Sequence, residues 1–284
     1  MRTVETVGDL RASVASFRRR GDRIGLVPTM GNLHEGHLSL IDSARDHGAR
    51  AVVVSIFVNP LQFGPKEDYD TYPRTPEEDR ELLAEKGVAL VFAPTVEEMY
   101  PGGQAAATRV EVPGLSTILC GQFRRGHFVG VATIVTKLLN MVQPDLAVFG
   151  EKDYQQLIVI RRMAEDLCLP VEIVGAPTVR EKDGLAMSSR NRFLSADERA
   201  RAPELYQALC EAAAAVAAGQ PFGEVEERGM ARLETAGFRP EYFAVRDART
   251  LASPAPDGGD PIVLAAAWLG RTRLIDNLLV DGTR

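Results

Sequence analysis

The sequence has few cysteines and lacks a long run of apolar residues. Its three cysteines, Cys120, Cys168 and Cys210, lie far apart and form no CxxC pair. This pattern is typical of reduced thiols and predicts neither a disulfide framework nor a zinc site. The segment 1–22 has no apolar signal-peptide core, and no later segment is long and apolar enough to cross a bilayer. We therefore expect a cytoplasmic protein without a membrane partner.

Basic residues are fewer than acidic ones. The 284 residues include 33 Lys and Arg against 39 Asp and Glu, which gives a formal net charge of -6. A dedicated nucleic-acid-binding protein needs a basic surface that neutralises phosphates, so the composition argues against a nucleic acid as partner. The same argument does not exclude an enzyme that binds a small nucleotide. The length allows one large domain or two of ordinary size.

Strand-like and helical segments alternate in the first part of the chain. Strands are predicted at Arg23–Thr29, Ala51–Val58, Val88–Ala93, Leu146–Phe149 and Val171–Val174. Helices are predicted at Gly36–His47, at Glu77–Lys86 with Thr75 as N-cap, at Val129–Val142 and at Gln155–Leu167. This alternation predicts an α/β domain over residues 1–176, with a parallel sheet and helices on both faces.

A smaller α+β domain is predicted over residues 177–284. Ser195 and Glu198 form a capping box that opens an alanine-rich helix reaching about Ala218. The elements predicted after it are a helix at Gly223–Ala236 and strands at Glu241–Arg246, Ile262–Trp268 and Arg273–Val280. The segment Ser253–Pro261 is rich in Pro, Gly and Asp and is predicted to be a surface loop.

The strongest local signal is the segment PTMGNLHEGH at Pro28–His37, where a predicted strand passes into a predicted helix. Ligands of open α/β sheets bind at the carboxyl ends of strands, and a helix N-terminus attracts phosphate groups. Gly31 and Gly36 allow the backbone to approach a nucleotide, and both histidines can donate hydrogen bonds to phosphate oxygens. The alternative is that one histidine only caps the helix or lies on the surface.

Two further segments are suited to phosphate. REKDGLAMSSRN at Arg180–Asn191 offers two hydroxyls, backbone N–H groups and a fixed cation. Paired with HxGH, it resembles the KMSKS-like loop of class I aminoacyl-tRNA synthetases and their relatives. In FGEKDYQQ at Phe149–Gln156, Lys152 can reach phosphate oxygens and Asp153 can hold a ribose or a lysine. The alternative for this second segment is an exposed charge run at a helix start.

Other candidate residues follow the second buried strand and precede the Val129–Val142 helix. The amides of Asn59 and Gln62 suit a small polar substrate, although Asn59 can merely turn the chain while Gln62 faces solvent. The basic cluster at 124–127 fits helix capping and a phosphate or substrate contact equally well. The polar segment Gly64–Arg74 is a candidate gate.

These blocks resemble, in order and spacing, the pantoate–β-alanine ligase (pantothenate synthetase) family over most of residues 24–194. The segments that carry the resemblance are PTMGNLHEGH, SIFVNPLQFGPKEDYDTYPRT, RRGHFVGVATIVTKLLNMVQPD, FGEKDYQQL and REKDGLAMSSRN. The resemblance implies a Rossmann-like N-terminal domain of the HxGH nucleotidyltransferase type and a homodimer. It also implies ATP-dependent condensation of pantoate with β-alanine through a pantoyl adenylate, in coenzyme A biosynthesis. Asn32 departs from the pattern, in which a small residue such as Ala is expected.

The resemblance also implies a set of site residues. ATP is expected to bind Met30, Gly31, Asn32, Leu33, His34, Glu35, Gly36, His37, Gly150, Glu151, Lys152, Asp153, Val179, Met187, Ser188, Ser189 and Arg190. Pantoate is expected to bind Gln62 and Gln156, with Gln62 also near β-alanine. Mg²⁺ is expected to arrive with ATP, with no protein ligand assigned. The acids Glu77, Glu78 and Asp79 are interpreted as a solvated helix start rather than as outer metal contacts.

His37 is the proton donor that the family pattern assigns, but the chemistry favours another role. A carboxylate that attacks phosphorus has no proton to lose, whereas negative charge does develop on the phosphoryl oxygens. We therefore interpret a set of donors as an electrostatic cradle for that charge: His34, His37, Lys152, Ser188, Ser189 and Arg190. No base for the amine step stands out in the sequence.

Three alternatives remain beside the ligase. A nucleotidyltransferase of the same HxGH superfamily would stop at a nucleotide-linked product. A nonenzymatic nucleotide-binding module would have little use for both histidines together with Lys152 and the Ser-Ser-Arg loop. The length, the acidity and the lack of an anticodon-binding extension argue against a tRNA synthetase.

Overall fold

The computed structural model describes residues 1–65, 67–255 and 259–280. The chain forms two compact units. Unit 1 contains Met1–Glu151 and Val159–Pro177, and unit 2 contains Lys152–Ile158 and Thr178–Arg284. The sequence did not indicate that 152–158 groups with the later residues, and the predicted domain limits stay a prediction. None of the described helices is long and apolar enough to cross a membrane.

Unit 1 is built on a six-stranded parallel sheet in the order β1-β4-β3-β2-β5-β6. The strands are β1 (Arg2–Val4), β2 (Ile24–Thr29), β3 (Ala51–Ile56), β4 (Leu90–Phe92), β5 (Leu146–Gly150) and β6 (Glu172–Ala176). The helices are α1 (Val7–Arg19), α2 (Glu35–Asp46), α3 (Pro76–Glu85), α4 (Val96–Met99), α5 (Cys120–Phe123), α6 (His127–Val142) and α7 (Tyr154–Asp166), whose first residues belong to unit 2. The predicted parallel α/β architecture is confirmed.

The strands form because their residues are apolar and largely β-branched, as strands covered on both faces require. Val27, Val54 and Leu146 are fully buried in one core cluster with helix residues such as Ile41. The strand order changes direction between β2 and β5, because β3 and β4 lie on one side of β2 while β5 and β6 lie on the other. Ligands of such sheets bind at the carboxyl ends of the strands beside this switch point.

Two elements at the start of unit 1 were not predicted. Strand β1 has only three residues and pairs with β4, so its sequence is too short to show a periodic pattern. Helix α1 is capped by Thr6, whose side chain accepts a hydrogen bond from the Asp9 N–H. The predicted cap of α3 is wrong in its chemistry, because Thr75 makes no side-chain cap bond and instead donates to Asp79.

Unit 2 packs three helices with an antiparallel sheet in the order β7-β8-β9. The elements are α8 (Ala196–Arg201), α9 (Glu204–Ala217), α10 (Phe222–Thr235), β7 (Arg239–Asp247), β8 (Pro261–Leu269) and β9 (Thr272–Leu279). The predicted capping box at Ser195 and Glu198 is confirmed. The single helix predicted to follow it is wrong: it breaks after Arg201, because Pro203 supplies no N–H to continue the ladder. Within the predicted loop Ser253–Pro261, residues 256–258 lie outside the described residues.

Candidate active site

The turn between β2 and α2 ends a strand beside the switch point and begins a helix. Gly31 has φ 80° and Asn32 has φ 50°, both in the left-handed region. Asn tolerates this region better than Ala does, so the departure from the family pattern at Asn32 suits the observed backbone. A Cβ on Gly31 would lie 2.9 Å from an Asp79 oxygen, so glycine is required there on two counts.

Asp79 holds this turn in place from helix α3. Its carboxylate accepts hydrogen bonds from the backbone N–H of Asn32 at 2.9 Å and of Leu33 at 2.8 Å, and Thr75 donates a third bond. Asp79 is 1% exposed, whereas Glu77 and Glu78 are exposed. The interpretation of Asp79 as part of a solvated helix start is therefore wrong: its carboxylate is buried and bonded to the turn between β2 and α2.

His34 and His37 lie together at the start of α2. His34 is the N-cap, and its Nδ1 accepts a hydrogen bond of 3.1 Å from the Gly36 N–H. The alternative that one histidine caps the helix is thus correct for His34. Because Nδ1 accepts, the proton of the neutral ring lies on Nε2, which makes Nε2 a donor. The two ring centroids are 4.1 Å apart, so both imidazoles serve one small region at the helix N-terminus.

A buried amide network fixes the orientation of Gln62, which lies in the 3₁₀ turn Pro60–Gln62 after β3. Asn59 donates through Nδ2 to the Gly130 carbonyl at 3.1 Å and to Gln62 Oε1 at 3.0 Å. A carbonyl only accepts, so this end of Asn59 is its nitrogen and Gln62 faces it with oxygen. Gln62 Nε2 then points to the sulfur of Met30 at 3.3 Å. With Gln62 only 9% exposed, the alternative that it faces solvent is wrong.

Tyr100 completes this network at the other end of Asn59. Its hydroxyl donates a hydrogen bond of 2.7 Å to Asn59 Oδ1. Burial raises the pKa of Tyr100 to about 12, and the positive charge of Arg109 acts in the opposite direction. The hydroxyl therefore keeps its proton at neutral pH and stays a donor. The network runs in one direction, from the Tyr100 hydroxyl through Asn59 to Gln62, whose Nε2 donates to the Met30 sulfur.

Helix α6 supports the same turn from below. A Cβ on Gly130 would lie 2.3 Å from the Leu61 carbonyl oxygen, so the helix backbone packs directly on the 3₁₀ turn. His127 Nδ1 lies 2.8 Å from the Gln62 carbonyl, and Arg124 lies 3.0 Å from its Nε2. Arg124 also forms a two-pronged ion pair with Glu67. Arg124 and His127 of the basic cluster thus have protein partners, and Arg124 ties the candidate gate segment to the C-terminal end of α5.

Gly150 and Glu151 belong to unit 1, and the other predicted site residues outside the β2–α2 turn and Gln62 lie in unit 2. Lys152 lies in the 3₁₀ turn Glu151–Asp153, and its ammonium is 3.7 Å from the Asp153 carboxylate. Val179 accepts a hydrogen bond of 3.0 Å from the Met187 N–H, which places these two residues at the open end of a hairpin. Ser188 caps the next 3₁₀ helix, Ser189–Phe193, with its hydroxyl accepting from the Arg190 N–H. Gln156 is half-buried in the first turn of α7.

The predicted residues thus fall into two sets. In unit 1 the structure brings Met30 close to Gln62 and His34 close to His37, and in unit 2 it pairs Val179 with Met187. The reasoning from sequence missed Asp79 as a support. One signal could have found it, because Asp79 lies four residues before the buried Leu83 and so on the inward face of α3.

The strand order and the turn between β2 and α2 first define the class of protein. Unit 1 has the α/β fold of nucleotidyltransferase-like proteins. The family described as pantoate-beta-alanine ligase matches residues 2–279. A pantothenate synthetase of Pseudomonas putida (strain W619) is 58% identical over 281 residues, covering 99% of this chain and 98% of that protein. One of Azotobacter vinelandii is 56% identical and covers 99% of both chains.

Solved structures agree with these sequence relatives. Pantothenate synthetase from Thermus thermophilus superposes with a TM-score of 0.91 at 50% identity, covering 99% of both chains. Pantoate-beta-alanine ligase from Francisella tularensis, crystallised with beta-gamma ATP and beta-alanine, has a TM-score of 0.83 at 32% identity. That match covers 99% of this chain and 98% of the other.

The chain belongs to the pantoate–β-alanine ligase family, whose members condense pantoate with β-alanine at the expense of ATP. It is an enzyme of pantothenate biosynthesis.

Proposed function

We propose that this chain forms pantothenate in two steps, through a pantoyl-adenylate intermediate. In the first step a carboxylate oxygen of pantoate attacks the α-phosphorus of ATP, and the bond to pyrophosphate breaks. In the second step the amine of β-alanine attacks the acyl carbon, AMP leaves and the nitrogen loses a proton. The observation that carries the proposal is the His34–His37 turn, which presents two imidazoles at the N-terminus of α2, shortly after a strand end.

The histidines act as donors to developing charge. Negative charge grows on the phosphoryl oxygens as pantoate attacks, and fixed donors stabilise that charge without reorganising. His34 is prepared for this role, because its Nδ1 is occupied by the Gly36 N–H and its proton lies on Nε2. His37 acts beside it in the same way. Neither residue has to give up a proton in the adenylation step.

A second group of donors is assigned to the triphosphate. Lys152, Ser188, Ser189 and Arg190 supply two cations and two hydroxyls, which complement phosphate oxygens. We also assign to ATP the residues 30–37, Gly150, Glu151, Asp153, Val179 and Met187. Support comes from the local order of both segments: the cap at Ser188 and the hairpin pair Val179–Met187 hold the loop in a defined form.

Gln62 binds pantoate through its amide nitrogen. The network from Tyr100 through Asn59 engages Oε1 of Gln62, so Nε2, which lies against the Met30 sulfur, is the amide donor for the substrate carboxylate or hydroxyls. A neutral donor positions the carboxylate while leaving it more nucleophilic than a close ion pair would. Gln156 contributes a second amide to pantoate, and Gln62 also lies near β-alanine when that substrate enters.

Magnesium enters as the MgATP complex. The described residues contain no group of three or more His, Cys, Asp or Glu side chains arranged to hold a metal ion. Both oxygens of Asp79, the one buried acid beside the turn, are engaged with backbone N–H groups. When bound, the ion neutralises charge on the triphosphate.

The enzyme works as a homodimer in the cytoplasm. The homodimer rests on the family resemblance. The location rests on the sequence pattern, and Cys120, Cys168 and Cys210 are free thiols, which is compatible with a reducing compartment. Sedimentation equilibrium tests the dimer. A mass close to 30.9 kDa at micromolar concentration would contradict it.

Product analysis tests the function directly. Purified enzyme is incubated with MgATP, pantoate and β-alanine, and pantothenate, AMP and pyrophosphate are quantified. The proposal predicts equal amounts of all three products when both organic substrates are present, and no pantothenate when either is omitted. Without pantoate no pyrophosphate forms, whereas without β-alanine pyrophosphate forms only in step with the enzyme-bound adenylate. A nucleotide-linked product that accumulates in the presence of β-alanine would instead identify a nucleotidyltransferase that stops after the first step.

A further inference from the structure

Asn277 contacts the main chain of Lys152 directly. Asn277 lies in β9, is 7% exposed, and donates through Nδ2 to the Lys152 carbonyl oxygen at 3.0 Å. Lys152 lies in a short 3₁₀ turn that by itself offers little to fix its main chain. The amide of Asn277 therefore sets where the lysine side chain begins.

A buried ion pair orients Asn277 in turn. Arg180 donates to both oxygens of Asp276, at 2.6 and 2.9 Å, and to the Asn277 carbonyl at 3.3 Å. Asp276 also accepts from the Asn277 N–H at 2.8 Å. The guanidinium of Arg180 lies 3.8 Å from the ring centre of Tyr206, which fixes its plane. Asn277, whose side chain bonds to Lys152, is thus held through its own backbone N–H and carbonyl groups.

The same arginine holds the hairpin that carries the Ser-Ser-Arg loop. Arg180 pairs with Ala186 across the hairpin and donates to the Gly184 carbonyl at 3.1 Å. Beyond Ala186 the chain enters Met187 and Ser188 directly. One guanidinium therefore contacts both the turn of the hairpin that precedes this loop and the strand that bonds to Lys152.

We propose that Asn277, Asp276 and Arg180 are positioning residues that fix Lys152 and the Met187–Arg190 loop in one arrangement within unit 2. This inference rests on the proposed function, because it assumes that Lys152 and the loop contact ATP. The three residues touch no substrate in this account. They act by fixing the main-chain positions of Lys152 and of the Met187–Arg190 loop, which contact ATP in this account.

Burying this ion pair is a costly way to hold a fold together. Asp276 is 4% exposed, and its burial raises the pKa of its carboxyl, an effect that the hydrogen bonds from Arg180 oppose. Apolar residues of similar volume often stabilise a protein as well as a buried ion pair does. A geometric role gives this pair a use that apolar packing cannot supply, since charged hydrogen bonds have fixed directions.

A double-mutant cycle between Asn277→Ala and Lys152→Ala tests the proposal, with pantoate-dependent exchange of labelled pyrophosphate into ATP as the readout. Asn277→Ala should lower kcat/KM for ATP by about 10- to 100-fold, the loss that misplacement by about 1 Å produces. In the Lys152→Ala background the same change should cost less than about 2-fold, because the group it positions is absent. Independent effects that multiply would overturn the proposal.

Arg180→Lys provides a second variant that keeps the charge beside Asp276. The matched control is Arg273→Lys, because Arg273 forms a comparably buried ion pair with Glu241 that joins β9 to β7 of the same unit. Arg180→Lys should lower kcat/KM for ATP by about 10-fold, whereas Arg273→Lys should leave it within about 2-fold of wild type. Equal losses in the two variants, at equal unfolding midpoints, would overturn the proposal.

The cycle also separates this inference from the proposed function. If Lys152→Ala is impaired while Asn277→Ala exchanges at the wild-type rate, the positioning role is wrong and the proposed function stands. If Lys152→Ala itself exchanges at the wild-type rate, the assignment of Lys152 to ATP is wrong, and the positioning role falls with it.

Discussion

The Asp79 carboxylate on α3 accepts a hydrogen bond of 2.9 Å from the backbone N–H of Asn32, and this bond ties a buried acid to the turn between β2 and α2. Asp79→Asn keeps the size but turns one acceptor into a donor. One turn N–H then loses its partner, which costs about 1–3 kcal/mol of stability. Denaturant unfolding should show this loss, and the KM for ATP should rise.

Glu78→Gln is the control for that change. It neutralises the neighbouring acid of the same helix turn, which is exposed. Its unfolding free energy and its KM for ATP should both stay close to wild type. Equal effects of the two variants would show that net charge at the helix start, rather than the bond to the turn, is what matters.

His34→Asn separates the two roles of this histidine. Asn is a good N-cap, so the helix should keep its stability to within about 0.5 kcal/mol. The variant lacks the Nε2 donor, and loss of one transition-state donor costs about 100-fold or more in kcat. Pyrophosphate exchange and thermal unfolding, measured on the same preparation, check both statements. A stable variant with the wild-type exchange rate would leave His34 with the capping role alone.

The raised pKa of Tyr100 predicts a loss of stability at alkaline pH. In the unfolded chain a tyrosine titrates near pH 10, whereas the folded value is about 12. The protonated group therefore contributes stability that is complete below pH 10 and is lost as the pH rises towards 12. The slope is about 1.4 kcal/mol per pH unit for one group. Urea unfolding of wild type and Tyr100→Phe between pH 9 and 12 isolates this contribution, because only wild type should show it.

Gly130→Ala should displace the turn that carries Gln62. The new methyl would lie 2.3 Å from the Leu61 carbonyl oxygen, so either the helix or the turn must move. We expect the KM for pantoate to rise by about 10-fold, with a loss of about 1–3 kcal/mol of stability. Gly223→Ala, also a helical glycine but with no atom within 4 Å of the new methyl, is the control and should change neither quantity.

The sheet could be predicted from sequence because its strands are short apolar runs separated by amphipathic helices. The Pro28–His37 turn could be placed because a strand and a helix flank it on either side. The role of Asp79 could not be predicted, because an acid three residues after a proline fits a solvated helix start equally well. Asn277 lies 125 residues from its partner Lys152, and no local pattern reports a contact over such a separation.

The break in the alanine-rich helix shows a different limit. The capping box and the alanines favour one long helix, but Pro203 interrupts it between α8 and α9. A proline inside a helix removes a hydrogen bond and costs about 3 kcal/mol, more than alanine propensity regains over a few residues. The orientation of the Gln62 amide depends on Tyr100 and Gly130, which are distant in sequence, so only the folded structure defines it.

Exchange of labelled pyrophosphate into ATP tests the central claim, adenylation of pantoate, most directly. The enzyme is incubated with MgATP, pyrophosphate and pantoate, without β-alanine. The account predicts exchange that requires pantoate, that β-alanine alone does not support, and that falls by about 100-fold in His37→Ala. Well-folded enzyme that forms pantothenate but shows no pantoate-dependent exchange would contradict a reversible adenylation step.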